Sequence, residues 1–95
     1  MKPLHEMIEE VVNSFFKHKN TRPPKNYDVE FYRDGNYTVA LLTLKKKRFM
    51  GISKRNPRDP FKEEIGQRIA LARALQRYAD SLELTIKVEE GTVVL

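Results

Sequence analysis

The sequence predicts an α+β domain of order α-β-β-β-α. Both helices lie on one face of an antiparallel sheet, and an additional strand follows at the C-terminal end. Three observations carry this reading. Apolar residues recur at helical spacing from Leu4 to Phe15 and again from Phe61 to Leu82. Between them, Tyr27 to Lys54 is a run of short, β-prone segments broken by turn residues. The 95 residues hold one core, and a hydrophobic share of 40% with 33% charged residues suits a single domain with a charged surface.

The first helix is expected within residues 1–19. Leu4, Met7, Ile8, Val11, Val12 and Phe15 form its apolar stripe, and Glu6, Glu9 and Glu10 suit the positive end of its dipole. Lys17, His18 and Lys19 suit the other end, and Pro23-Pro24 ends the segment.

The sheet is expected over residues 26–55. Tyr27, Val29 and Phe31 alternate with Asp28, Glu30 and Tyr32, which marks a half-buried strand. Asp34-Gly35 signals a hairpin turn, with the loop length of two or three residues left open. The run Val39-Ala40-Leu41-Leu42 is apolar on both faces and belongs at the centre of the sheet. Lys45 to Lys47 is a charged turn, and Arg48 to Lys54 is the third strand, with Phe49 and Met50 on opposite faces.

The long helix is expected over residues 59–82, with Asp59 as N-cap and Pro60 at the first helical position. Its sheet-facing side is read as Phe61, Ile65, Ile69, Ala72, Leu75, Ala79 and Leu82, flanked by Leu71 and Tyr78. With Phe15 and Phe31, the residues Ile65, Ile69, Ala72 and Leu75 are expected in the core. Gly66 costs about 1 kcal/mol against alanine inside a helix, which a close approach offsets. The first helix is the expected neighbour. Leu84, Ile86 and Val88 alternate with polar residues, so residues 84–95 are read as a strand that extends the sheet or pairs with another copy.

Net charge is +5, and its distribution is uneven. From Gly35 to Arg58 no acidic residue occurs, while Lys45, Lys46, Lys47, Arg48, Lys54, Arg55 and Arg58 fall in the same stretch. These seven residues are the candidate partner-binding surface, with nucleic acid or an acidic protein face as the partner. Tyr32, Tyr37 and Phe49 are candidate stacking surfaces beside them. A basic hairpin protected from edge pairing is the structural alternative.

Catalytic signatures are missing. There is no GxSxG, Walker loop, GxGxxG or HExxH, and no serine has a histidine at a suggestive spacing. Without cysteine there is no disulfide or thiolate metal site, and His5 and His18 alone make no metal site. No cofactor is implied. No apolar run spans a bilayer and the N-terminus is no signal peptide, so the cytoplasm is the expected compartment. The Lys, Arg and Glu content leans toward a thermophilic source.

One stretch carries a resemblance. Gly51-x-Ser53-Lys54-x-x-Pro57-x-Asp59-x-Phe61, followed by Gly66, Ala70, Ala72, Arg73 and Ala74, resembles a pattern in small, mostly uncharacterised proteins of Gram-positive bacteria and their phages. It is also similar to a small actinobacterial family of unknown function with a double-stranded RNA-binding-domain-like fold. The resemblance implies that fold and a phage-like setting, not a chemistry. Double-stranded RNA-binding domains open their last helix with a lysine cluster that clamps phosphates. Here Asp59, Glu63 and Glu64 occupy that place and would repel them. The expected function is therefore a small, non-enzymatic accessory protein that binds nucleic acid through its basic hairpin. A phage inhibitor or adaptor on an acidic host-protein face, and a homodimer paired through the C-terminal strand, are the alternatives.

Overall fold

The computed structural model describes residues 3–58, 60 and 62–89, with side chains as far as Leu82. The element order is α1 (Leu4–His18), β1 (Asp28–Asp34), β2 (Tyr37–Leu44), β3 (Lys47–Lys54) and α2 (Glu63–Glu89). The strands form one antiparallel sheet of order β1-β2-β3, with the apolar β2 at its centre. Both helices pack on one face, which makes this the α-β-β-β-α arrangement expected.

Helix α1 carries Glu6 in its first turn and Lys17 and His18 in its last. Its end is a Schellman motif. Asn20 takes a left-handed conformation (φ 56°), the Thr21 amide donates to the Phe16 carbonyl, and the Asn20 amide donates to that of Lys17. Asparagine tolerates this conformation better than most residues, and so the chain turns there, ahead of the prolines.

Two-residue turns set the register. Gly35 and Asn36 join β1 to β2, with Asp34 paired to Tyr37, and only Gly35 has positive φ (58°). Asp34 is thus the last strand residue, not a central turn residue. This register points Thr38, Ala40, Leu42 and Leu44 at the helices. Three rows run across the inner face: Val29–Leu42–Phe49, Phe31–Ala40–Gly51 and Arg33–Thr38–Ser53. Ala40, Leu42 and Leu44 are buried together with Val12 and Phe16 of α1 and Ala70, Leu71, Ala74, Leu75 and Tyr78 of α2. Tyr78 ties the layers together, meeting Phe16 and Phe49 edge to face at 6.1 and 5.5 Å between ring centroids.

The position of α2 follows from one close contact. A Cβ at Gly51 would lie 1.9 Å from the Ala70 carbonyl oxygen and 2.5 Å from the Ala74 nitrogen. Helix backbone therefore rests directly on strand backbone. Gly66, Ala70 and Ala74, four residues apart, form the strip of small residues that permits it. Ser53 donates its hydroxyl to the Gly66 carbonyl at 2.8 Å, and Arg73 donates to the Ile52 carbonyl at 2.6 Å.

This contact overturns the expected helix face. The buried side of α2 is Ala70, Leu71, Ala74, Leu75 and Tyr78; Leu75 was expected on the face itself, Leu71 and Tyr78 only on its flanks, and Ala70 and Ala74 not at all. The face is turned by about a third of a revolution from the one that bulk hydrophobicity suggests. Ile65 and Ile69 are 51% and 42% exposed, and Ala72 is exposed. Phe15 and Phe31 are half-buried. Gly66 faces Thr38 and Ser53 of the sheet, not the first helix. Small residues win the inward position because bulky ones would hold the helix off Gly51.

Two boundaries also differ. Pro60 precedes the helix, which begins at Glu63 with two carboxylates in its first turn. The capping role expected of Asp59 lies outside the described residues, as does Phe61. Helix α2 continues through Glu89 where a strand was expected from Leu84. From Gln67 to Glu90 the chain has no glycine or proline to stop a helix already propagating. The remainder of the expected strand, residues 90–95, lies outside the described residues.

Two stability measurements check this packing. Gly51→Ala should lower unfolding free energy by about 3 kcal/mol or more, since backbone cannot yield as a side chain does. A loss under about 1 kcal/mol would show that the helix does not touch the strand there. Leu71→Ala should lose about 2–5 kcal/mol, whereas Ile69→Ala should lose under about 1. The reverse order in urea melts would restore the other helix face.

Candidate functional site

The seven basic residues do not form one surface. Lys45, Lys46, Lys47 and Arg48 lie at one end of β3, and Lys54, Arg55 and Arg58 at the other, about 20 Å away at the rise of a strand. The hairpin geometry separates what the sequence places in one acid-free run.

At the first end, Lys45 and Lys46 are the two central residues of the β2–β3 turn, with Leu44 paired to Lys47. Both have positive φ, 52° and 66°. That is the pattern of a type I′ turn, in which Asn-Gly is the favoured pair. A lysine in this region costs roughly 1–2 kcal/mol in Cβ–carbonyl crowding. Both side chains are exposed, as are those of Lys47 and Arg48, so four cations crowd one tip of the molecule.

At the second end, the basic residues are tied into the fold. The Arg55 amide donates to the Asn36 carbonyl at 2.8 Å, and its guanidinium to the Asn36 side-chain oxygen at 3.2 Å. Arg55 thereby clasps the β1–β2 turn to the end of β3. The Arg58 amide donates to the Asn56 side chain at 3.1 Å. A cleft of about 330 Å³ opens here, with Ile65, Gly66 and Ile69 on its helix wall and Arg33, Lys54, Arg55 and Lys62 around it. Arg33 and Lys62 were not among the expected residues. Strand alternation, which puts Arg33 in the row with Thr38 and Ser53, is the signal that finds the first.

The outer face of the sheet has no covering element among the described residues. Its rows are Asp28–Thr43–Arg48, Glu30–Leu41–Met50, Tyr32–Val39–Ile52 and Asp34–Tyr37–Lys54. Tyr32 (54%), Tyr37 (45%), Met50 (48%) and Ile52 (43%) are all exposed there. The Tyr32 hydroxyl donates to the Glu30 carboxylate, which pushes the phenol above its ordinary pKa. The Lys54 ammonium sits 5.6 Å from the centre of the Tyr37 ring. Of the three expected stacking rings, Tyr32 and Tyr37 are available. Phe49 points inward against Tyr78, because alternation gives it the same face as Gly51 and Ser53.

Among the described residues, no group of three or more His, Asp or Glu side chains could hold a metal ion. No helix among them is long and apolar enough to cross a membrane. Ser53, a buried hydroxyl, is engaged with the Gly66 carbonyl and has a packing role.

No curated protein and no solved structure matches the chain. A family model does, across residues 26–89, which takes in all three strands and α2 as far as it is described. Since that match covers well over half of the sequence, the chain belongs to the Rv2632c-like family.

Proposed function

We propose that this protein is a non-enzymatic accessory protein that binds nucleic acid through the β2–β3 turn. The observation that carries the reading is the pair Lys45-Lys46 at two left-handed positions. Asparagine and glycine would satisfy the turn without strain, so lysine at both positions comes at a cost in folding energy. Charge at the tip is the property they add, and Lys47 and Arg48 extend it. Phosphates are the natural counterpart of four exposed cations without a nearby acid in sequence. The phage-like setting implied by the resemblance fits a small protein of this kind and belongs to the same proposal.

Sequence-independent contact is expected, since no base-reading element accompanies the turn among the described residues. The groove-spanning mode of double-stranded RNA-binding domains is not expected, because the first turn of α2 is acidic at Glu63 and Glu64.

The test is the double variant Lys45→Asn/Lys46→Gly. It should be more stable than the native chain, by about 1–2 kcal/mol in chemical denaturation. It should also bind labelled DNA more weakly, with a log–log salt slope reduced by about 0.7–0.9 for each phosphate no longer neutralised. Stabilisation with unchanged affinity and salt slope would remove the turn from function. Loss of stability would mean that the lysines are not strained.

A further inference from the structure

We propose that the open face of the sheet is a self-association surface, on which a second copy packs with its β1 opposite β3. The face is divided by charge. Asp28, Glu30 and Asp34 project from β1, and Arg48 and Lys54 from β3. The central strand presents Tyr37, Val39, Leu41 and Thr43 and carries no charge. With Tyr32, Met50 and Ile52 exposed beside it, the result is an apolar band between an acidic margin and a basic one. Val39 and Leu41 are half-buried between these exposed side chains, and apolar surface gathered on an uncovered sheet face suits an interaction site.

The arrangement selects its own complement. In a twofold pair the same patch serves both copies. A twofold axis lying between two facing sheets and running along β2 exchanges left and right but keeps each row at its level. Asp28 then faces Arg48 of the second copy, Asp34 faces Lys54 of the second copy, and the apolar bands meet. An axis running across the strands would set β1 on β1, carboxylate against carboxylate. Only the first packing pairs opposite charges, and at the usual angle of about 30° between aligned sheets the long Arg48 and Lys54 side chains supply the reach to the aspartates.

A single strand of nucleic acid stacking on Tyr32 and Tyr37 is the competing occupant. The β1 carboxylates speak against it, because phosphates crossing the face would meet Asp28, Glu30 or Asp34. A second copy uses those carboxylates instead.

The geometry has a functional consequence. An axis along the strands brings both β2–β3 turns to the same end of the dimer, so the lysine tips of two copies form one doubled cationic surface. This consequence rests on the proposed nucleic-acid reading. Self-association does not, and it is measured without nucleic acid.

The experiment is sedimentation equilibrium of the full chain across low to high micromolar concentration, with circular dichroism on every variant. The native chain should show a monomer–dimer equilibrium. Asp34→Lys and Lys54→Asp, each alone, should raise the dimer dissociation constant about tenfold or more, because each sets like charges face to face. The double variant Asp34→Lys/Lys54→Asp should restore the native constant. If either residue proves necessary for folding, Asp28→Lys and Arg48→Asp make the same exchange at the other end of the face. A monomer at every concentration overturns the proposal. So does a dimer that ignores the single exchanges, or a double exchange that fails to restore association.

Discussion

The backbone contact between Gly51 and the α2 turn at Ala70 and Ala74 is the constraint on which the rest of the structure depends. It sets the distance between helix and sheet, and so the depth of the core. Glycine on the strand and small residues on the helix let the two backbones meet. Leu71, Leu75 and Tyr78 then fill the space to either side. The hydrogen bonds from Ser53 and Arg73 lie on the same seam and fix the helix along the strand. The stretch that carries the resemblance therefore has a physical explanation. Its Gly51, Ser53, Gly66, Ala70, Arg73 and Ala74 all serve one helix–strand contact.

Much of the fold was legible in the sequence. Alternation placed Tyr27, Val29 and Phe31 on the inner side of β1, and the doubly apolar run placed β2 at the centre. The helix face was not legible, because hydrophobic periodicity weighs isoleucine above alanine. Packing here weighs closeness above bulk, so Ile65 and Ile69 turn outward to line the cleft while Ala70 and Ala74 turn in. The signal was present in the four-residue spacing of Gly66, Ala70 and Ala74 opposite a strand glycine. The C-terminal extent failed for a related reason. The alternation of Leu84, Ile86 and Val88 is a period-two pattern, but a helix already nucleated and free of breakers runs through it.

The basic residues show a second limit of one-dimensional reading. Seven cations within fourteen positions look like one patch along the chain. An antiparallel strand of eight residues divides them between its two ends. One group is exposed on a strained turn, and the other is partly consumed in holding the β1–β2 turn to β3. Separating them changes the functional question from a continuous basic surface to a cationic tip. It also reveals the outer face, whose acidic, apolar and basic strips appear only once three strands are laid side by side. Tip and face share Arg48 but are compatible, since the turn lysines Lys45 and Lys46 stay free when the face is covered.

The most direct check of the central contact is a nuclear Overhauser spectrum of the labelled protein. The Gly51 α-protons should give strong cross-peaks to Ala70 and Ala74, and the Leu71 and Leu75 methyls should give them to Ala40 or Leu42. Cross-peaks from the Ile65 and Ile69 methyls to Ala40 and Leu42, with none between Gly51 and Ala70, would contradict the account.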